Sequence, residues 1–276
     1  MNIAIIGMGI IGGSFAKAFK KYTDHHIIGI NRTKSTLQKA YDCKAIDEIG
    51  DEISLEKADL IILATYPQAA VDYIEKYGKH IRQGTIVTDS AGIKTEICPK
   101  MVSLSKKFGF TFVGGHPMAG KEKNGFDVSE ADLYLGASYI LVPCEADERS
   151  IEIISNLAIK LGFGGVKITT PEEHDRMIAF TSQLPHVLAC AYVMSPCCLN
   201  HKGFSAGSYR DVSRVANINS ELWSELFLEN REPLMEELDE LIKNINLIKD
   251  AIGKEDKEEL AALLEKGHKV KEALGE

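Results

Sequence analysis

Short apolar runs alternate with amphipathic stretches through the first 168 positions, and beyond residue 170 the runs stop and helical spacing takes over. Met1-Asn2-Ile3-Ala4-Ile5-Ile6 reads as a buried strand, while Ile11, Phe15, Ala18 and Phe19 recur on one face of a helix. Further strands are predicted at His26–Ile30 and over 60–64, 85–89, 110–113, 139–142 and 166–168, with a helix over 151–161. This alternation predicts an α/β fold: a doubly wound Rossmann-type domain over 1–168, parallel at least in its first half. After Thr169-Thr170-Pro171 only helix is predicted, so 169–276 forms a second, all-α domain. Within it Leu234, Leu238, Leu241, Ile245, Ile248 and Ile252 make a heptad seam, too short for a free coiled coil, that packs inside the domain or against a second copy.

In such a sheet, ligands sit at the carboxyl ends of the strands, and three turns there stand out. The first, Gly7-Met8-Gly9-Ile10-Ile11-Gly12, lies between strand and helix as a dinucleotide-binding turn does. Its first glycine allows the tight turn, its second admits the pyrophosphate to backbone N–H groups, and its third lets helix and strand pack closely. The second is Asp89-Ser90-Ala91-Gly92. The third, Gly114-Gly115-His116-Pro117-Met118-Ala119-Gly120, is expected to hold His116 on a rigid turn at a strand end, presented to a ligand rather than packed. Thr65, at the end of the strand over 60–64, is counted with the cofactor residues. At the end of the second strand, where NAD enzymes place an acidic residue for the ribose 2′-hydroxyl, the chain has Asn31-Arg32-Thr33. Arg32 favours the 2′-phosphate of NADP; the alternative is that Arg32 stacks on adenine or points into water while Asn31 serves NAD.

Composition narrows the class. The 276 residues, 45% hydrophobic and 26% charged, suffice for two globular domains, and no run reaches membrane-spanning length. The N-terminus falls inside the first strand and leaves no room for a signal peptide, so a cytoplasmic protein is expected. Six cysteines show no zinc-type spacing, so no metal site is expected, and the net charge of −8 argues against a nucleic-acid surface.

The helical half carries three further constellations. Ser182 and His186, four residues apart in Thr181-Ser182-Gln183-Leu184-Pro185-His186, share a helix face that the proline bends, and are either pocket residues or a surface histidine with a back-bonded hydroxyl. Arg210 and Arg214, at i and i+4, are either a solvated face or a carboxylate clamp. Trp223, the single tryptophan, reads by default as core or interface filler.

Taken in order, these motifs resemble the prephenate dehydrogenases of tyrosine biosynthesis: Gly-Gly-His116-Pro-Met-Ala-Gly120 followed by Lys121, Glu122 and Gly125, then the segment ending at His186, then the arginine pair with Trp223 nine residues on. The resemblance runs from the first strand to about residue 250. It implies oxidative decarboxylation of prephenate to 4-hydroxyphenylpyruvate with hydride transfer to NAD(P)+, and a homodimer formed through the helical domain. By the same resemblance His116 contacts the ring hydroxyl with help from Ser90. His186, with Ser182 nearby, lines the pocket; Arg214 holds the ring carboxylate; Arg210 is contributed across the dimer; and Gly120, Lys121, Glu122 and Trp223 complete the substrate site. Lys121 and Gln183 depart from residues common in that family and are expected to flank the pocket, which leaves arogenate open as the substrate. A β-hydroxyacid-type NADP-dependent dehydrogenase or a non-catalytic dinucleotide sensor would share the two-domain plan without requiring His116 or the arginine pair.

Overall fold

The computed structural model describes residues 1–121 and 123–275. Its sheet has eight strands: β1 (Asn2–Ile6), β2 (His26–Ile30), β3 (Glu48–Ile49), β4 (Leu60–Leu63), β5 (Ile86–Asp89), β6 (Thr111–Pro117), β7 (Ser138–Val142) and β8 (Gly165–Ile168). The spatial order is β3-β2-β1-β4-β5-β6-β7-β8, with every neighbouring pair from β3 to β6 parallel. Helices α1 (Ile10–Tyr22), α2 (Lys34–Asp42), α3 (Pro67–Tyr77), α4 (Ile97–Phe108) and α5 (Glu148–Lys160) connect the strands. The period of two explains the uniformly apolar strands. Ile3 and Ile5 of β1 join one buried layer with Phe15 and Phe19, while Ala4 and Ile6 join the opposite layer with Val71 and Ile74.

Two details depart from the sequence reading. β3 is only two residues long and pairs through Glu48 and Ile49, too little for an alternating pattern to register. The expected turn at Gly114 to Gly120 is strand as far as Pro117, because β7 runs antiparallel to β6 and pairs His116 with Ile140 and Pro117 with Tyr139. Pro117, lacking an N–H, is tolerated as the last residue of the strand.

Beyond β8 the chain is helical: α6 (Pro171–Ile178), α7 (Leu184–Val193), α8 (Gly207–Ser213), α9 (Ser220–Glu229), α10 (Arg231–Gly253) and α11 (Lys257–Leu274). A π turn, Ala179–Gln183, joins α6 to α7, and Pro185 lies in the first turn of α7, where its missing N–H costs little. The irregularity expected at the proline therefore precedes it. Along α10, Leu234 is buried and Leu238, Leu241 and Ile248 are half-buried, but Ile245 and Ile252 are exposed, as are Met235, Ile242 and Leu247. α11 adds exposed Leu264, Val270 and Leu274, so a single chain leaves the apolar surface of this hairpin open. No helix among the described residues is long and apolar enough to cross a membrane.

Candidate active site

The carboxyl ends of β1, β2, β4, β5 and β6 open onto a cavity of about 1590 Å³ that runs from Arg32 and Lys34 past the glycine turn to Ser90, His116 and Trp223. All three turns singled out in the sequence contribute to it. Gly7 has φ +94°, in the left-handed region, and its N–H donates to the Ile30 carbonyl at 2.9 Å. A Cβ on Gly12 would fall 1.9 Å from the Gly7 carbonyl oxygen, which explains the close strand–helix contact. A Cβ on Gly9 would meet nothing within 4 Å, so the protein's own packing does not require glycine there. That open space, at the start of a 13-residue helix with no side-chain cap, suits a pyrophosphate. Met8, Ile10, Ile11 and Thr65 line the same stretch.

At the far end, Asn31 is occupied internally: its Oδ1 accepts the Met8 N–H at 3.0 Å and its Nδ2 donates to the Thr33 carbonyl at 3.3 Å. Asn31 thereby braces the glycine turn, while Arg32, Thr33 and Lys34 border the cavity beside it. Lys34, the first residue of α2, has no counterpart in the sequence reading.

His116 is held from three sides. The preceding Gly115 is a contact point between strands, since a Cβ there would lie 2.6 Å from both the Asp89 carbonyl and the Tyr139 hydroxyl. Its N–H donates to Asp89 Oδ1 at 2.9 Å. The other oxygen of Asp89 accepts the Ala91 N–H at 2.8 Å and the Lys94 ammonium at 2.5 Å, a fully buried pair that fastens the Ser90–Gly92 turn to the histidine strand. Nδ1 of His116 lies 2.9 Å from Nε2 of His174, whose Nδ1 lies 2.6 Å from Asp175 Oδ1. Nε2 of His116 has no hydrogen-bond partner among the described residues, and the ring borders the cavity. His116 is thus both packed and presented, where the sequence suggested only the second.

Burial, and then the charges of a protonated His174 and of Lys94, push His116 well below the ordinary histidine pKa. Burial also lowers His174, against the pull of Asp175. Burial alone would raise the Asp175 carboxyl, but hydrogen bonds from His174 and from the hydroxyl and amide of Thr95 outweigh it and hold it below the usual range. The Lys94 N–H completes the set of donors to Asp175 at 2.8 Å.

His174 and Asp175 escaped the sequence reading because Pro-Glu-Glu-His-Asp-Arg looks like a solvated helix start. The usable signal was register: Ile178, four residues after His174, shares its buried face. Gln183, expected at the pocket edge, is buried instead. Its Oε1 accepts from Asn230 Nδ2 at 2.7 Å and its Nε2 donates to the Leu226 carbonyl at 3.0 Å, so it ties the π turn to α9 and α10.

The remaining candidates divide. Ser90 borders the cavity and donates weakly to the Leu63 carbonyl at 3.4 Å. Trp223, on α9, also lines it, and His186, expected in the lining but absent from it, stacks behind on the indole with ring centroids 3.8 Å apart. His186 Nδ1 donates to the Val215 carbonyl at 2.7 Å, which sets it beside the turn carrying Arg214. Ser182, half-buried on the π turn, and the exposed Arg210 and Arg214 are not among the lining residues. Neither are exposed Gly120 and Lys121, the latter paired with Glu130 at 2.6 Å; Ala119, Asn124 and Gly125 form that rim. Glu122 lies outside the described residues.

Residues 15–167 match the family model for the prephenate dehydrogenase nucleotide-binding domain, and residues 170–266 that for the prephenate dehydrogenase dimerization domain. The prephenate dehydrogenase of Bacillus subtilis is 30% identical over 272 residues, covering 94% of this chain and 72% of the relative. Among solved structures, prephenate dehydrogenase from A. aeolicus in complex with hydroxyphenyl propionate and NAD+ superposes with a TM-score of 0.88 at 29% identity, covering 100% of this chain and 98% of that one. Synechocystis arogenate dehydrogenase gives a TM-score of 0.85, also at 29% identity, over 99% of this chain and 100% of that one.

Proposed function

The chain belongs to the prephenate dehydrogenase family, and from that premise we propose that it converts prephenate to 4-hydroxyphenylpyruvate and carbon dioxide, with a second copy paired through the helical half. A bound nicotinamide dinucleotide supplies the hydride acceptor. The observation that carries the reading is His116, whose Nδ1 is engaged by His174 and whose ring borders the cavity that the glycine turn shares with Trp223. His116 accepts the proton of the ring hydroxyl as the hydrogen on C4 departs as hydride. It returns the proton to the ring oxygen once the C1 carboxylate has left as carbon dioxide and the ring has become aromatic. No net proton is released, so the base needs no proton exchange with solvent during turnover. Such positioned general-base help is worth on the order of 10² to 10⁴ in rate.

Ser90 assists from the adjoining turn. His186 and Trp223 wall the ring pocket, with Ser182 nearby. Arg214 fixes the ring carboxylate, a role supported by its place next to Val215, the hydrogen-bond partner of His186. Arg210 serves the neighbouring copy, and Gly120 and Lys121 follow Ala119 at the rim. The preferred cofactor is NADP: positions 31–34 carry no carboxylate, Asn31 is engaged with the glycine turn, and Arg32, Thr33 and Lys34 border the ribose end.

Initial rates of dinucleotide reduction with prephenate and arogenate, each against NAD+ and NADP+, test the reaction and the cofactor together. Prephenate with NADP+ should give the highest kcat/KM. An arogenate preference above about tenfold would reassign the substrate, and no turnover of either would dismiss the enzyme reading.

A further inference from the structure

A base that works through Nε2 must carry its own proton on Nδ1, yet a free neutral imidazole in water prefers neither arrangement strongly enough to guarantee it. The surroundings of His116 remove the choice. Asp175 receives two backbone N–H groups, from Lys94 and Thr95, and the Thr95 hydroxyl, all of which require it as an acceptor. As a carboxylate it can only accept from His174 Nδ1 as well. With its proton committed there, neutral His174 offers a bare Nε2, and the 2.9 Å contact then requires His116 to donate through Nδ1. Each tautomer follows from the previous one, back to the amides of the Lys94-Thr95 segment.

We propose that Asp175 and His174 are positioning residues for the reaction, a relay that fixes His116 as the Nδ1–H tautomer, keeps its lone pair aimed into the cavity, and shares the positive charge while His116 holds the substrate's proton. The inference rests on His116 being the base. His174 is buried and Asp175 is 1% exposed, so the carboxylate acts through little intervening water. The other ionisable groups around His116 are the Asp89–Lys94 pair from the end of β5 and Tyr139 from β7. Asp89 spends both oxygens on Gly115, Ala91 and Lys94, and so leaves the relay as the route to the ring.

The relay also crosses the seam between the two halves. His116 and Lys94 belong to the nucleotide-binding half, whereas His174 and Asp175 belong to α6, whose Asp175 carbonyl accepts from Asn230 Nδ2 at 2.9 Å. Packing of the helical half therefore reaches the base directly.

The test reads the tautomer without turnover. In protein labelled with ¹⁵N-histidine, two-bond ¹⁵N–¹H correlations should assign the proton of neutral His116 to Nδ1. His174→Leu should lose that preference, and His174→Gln, which restores an oxygen acceptor for Nδ1, should recover it. Asp175→Asn should lower kcat by about 10² or more, leave the Kd of the dinucleotide within twofold, and move the acid limb of kcat/KM to lower pH, because the imidazolium loses its counter-charge. A purely structural role would lower kcat without moving the limb. A wild-type His116 protonated on Nε2, an unchanged tautomer in His174→Leu, or an Asp175→Asn enzyme within threefold of wild type would overturn the relay. Loss of the Nδ1 preference in a protein that turns over neither ring substrate would uphold the relay and dismiss the reaction.

Discussion

Gly9 offers a clean separation of binding from folding. In Gly9→Ala the new methyl group would meet no protein atom within 4 Å, and the backbone at φ −81° and ψ −156° is open to an L-residue. Two small effects on stability oppose each other. Restricting the unfolded chain stabilises by about 0.4 to 1 kcal/mol. Replacing glycine by alanine just before a helix costs a similar amount. The net should lie within about 1 kcal/mol, or roughly 2 to 4 °C in Tm for a chain of this size. Binding should respond far more. If the pyrophosphate occupies that open space, the methyl group displaces it from at least one charge-assisted hydrogen bond worth about 1.5 to 3 kcal/mol. That corresponds to a rise in Kd of about 10- to 150-fold for NAD+ and NADP+ alike. Gly12→Ala is the opposite case: its Cβ would sit 1.9 Å from the Gly7 carbonyl oxygen, so it should unfold at distinctly lower temperature. Thermal melts with dinucleotide titration by calorimetry read both. A Gly9→Ala protein that melts normally and binds both cofactors within threefold of wild type would show that the pyrophosphate lies elsewhere.

The other expectations concern charge. Arg32→Ala should weaken NADP+ about tenfold or more and leave NAD+ nearly untouched, with the gap narrowing in high salt; a wild type that binds NAD+ more tightly would refute the 2′-phosphate assignment. Arg214→Gln should raise the KM for prephenate strongly and Arg210→Gln less so, and an unchanged KM in the first would place the carboxylate against another group. Because burial lowers the pKa of His116, its neutral, active form persists as pH falls through the usual histidine range near 6.5, so kcat/KM should hold there and drop only in more acid solution. An acid limb at or above 6.5 would remove His116 from the role of base.

What the sequence revealed was local. The strand, glycine turn and helix at 2–22 are consecutive in the chain and carry their own signals, and the strands buried on both faces announce themselves as apolar runs. What stayed hidden depends on partners distant in sequence. Asp89, Lys94, His174 and Asp175 are ordinary polar residues until the fold brings residues 80 and 81 positions apart into hydrogen-bond contact. The extension of β6 through His116 needed β7 to arrive antiparallel, and the burial of Gln183 needed Asn230. Register along α6 was the one sequence clue to the histidine pair. It is weak, because a polar residue on an apolar face has several uses.

The hydrogen bond between β6 and α6 has an evolutionary consequence. Domains that meet only through apolar surface can be exchanged between lineages, since many hydrophobic side chains of the right size will fit. Here the histidine proposed as the base is encoded in one half and its hydrogen-bonding partner in the other. A recombined gene that joined this nucleotide-binding half to a foreign helical half would keep its dinucleotide turn but lose the tether of its base, unless the incoming segment carried a matching His-Asp pair one turn into its first helix. The two halves should accordingly be inherited together, and substitutions at positions 116, 174 and 175 should track one another more closely than those at the surrounding apolar contacts.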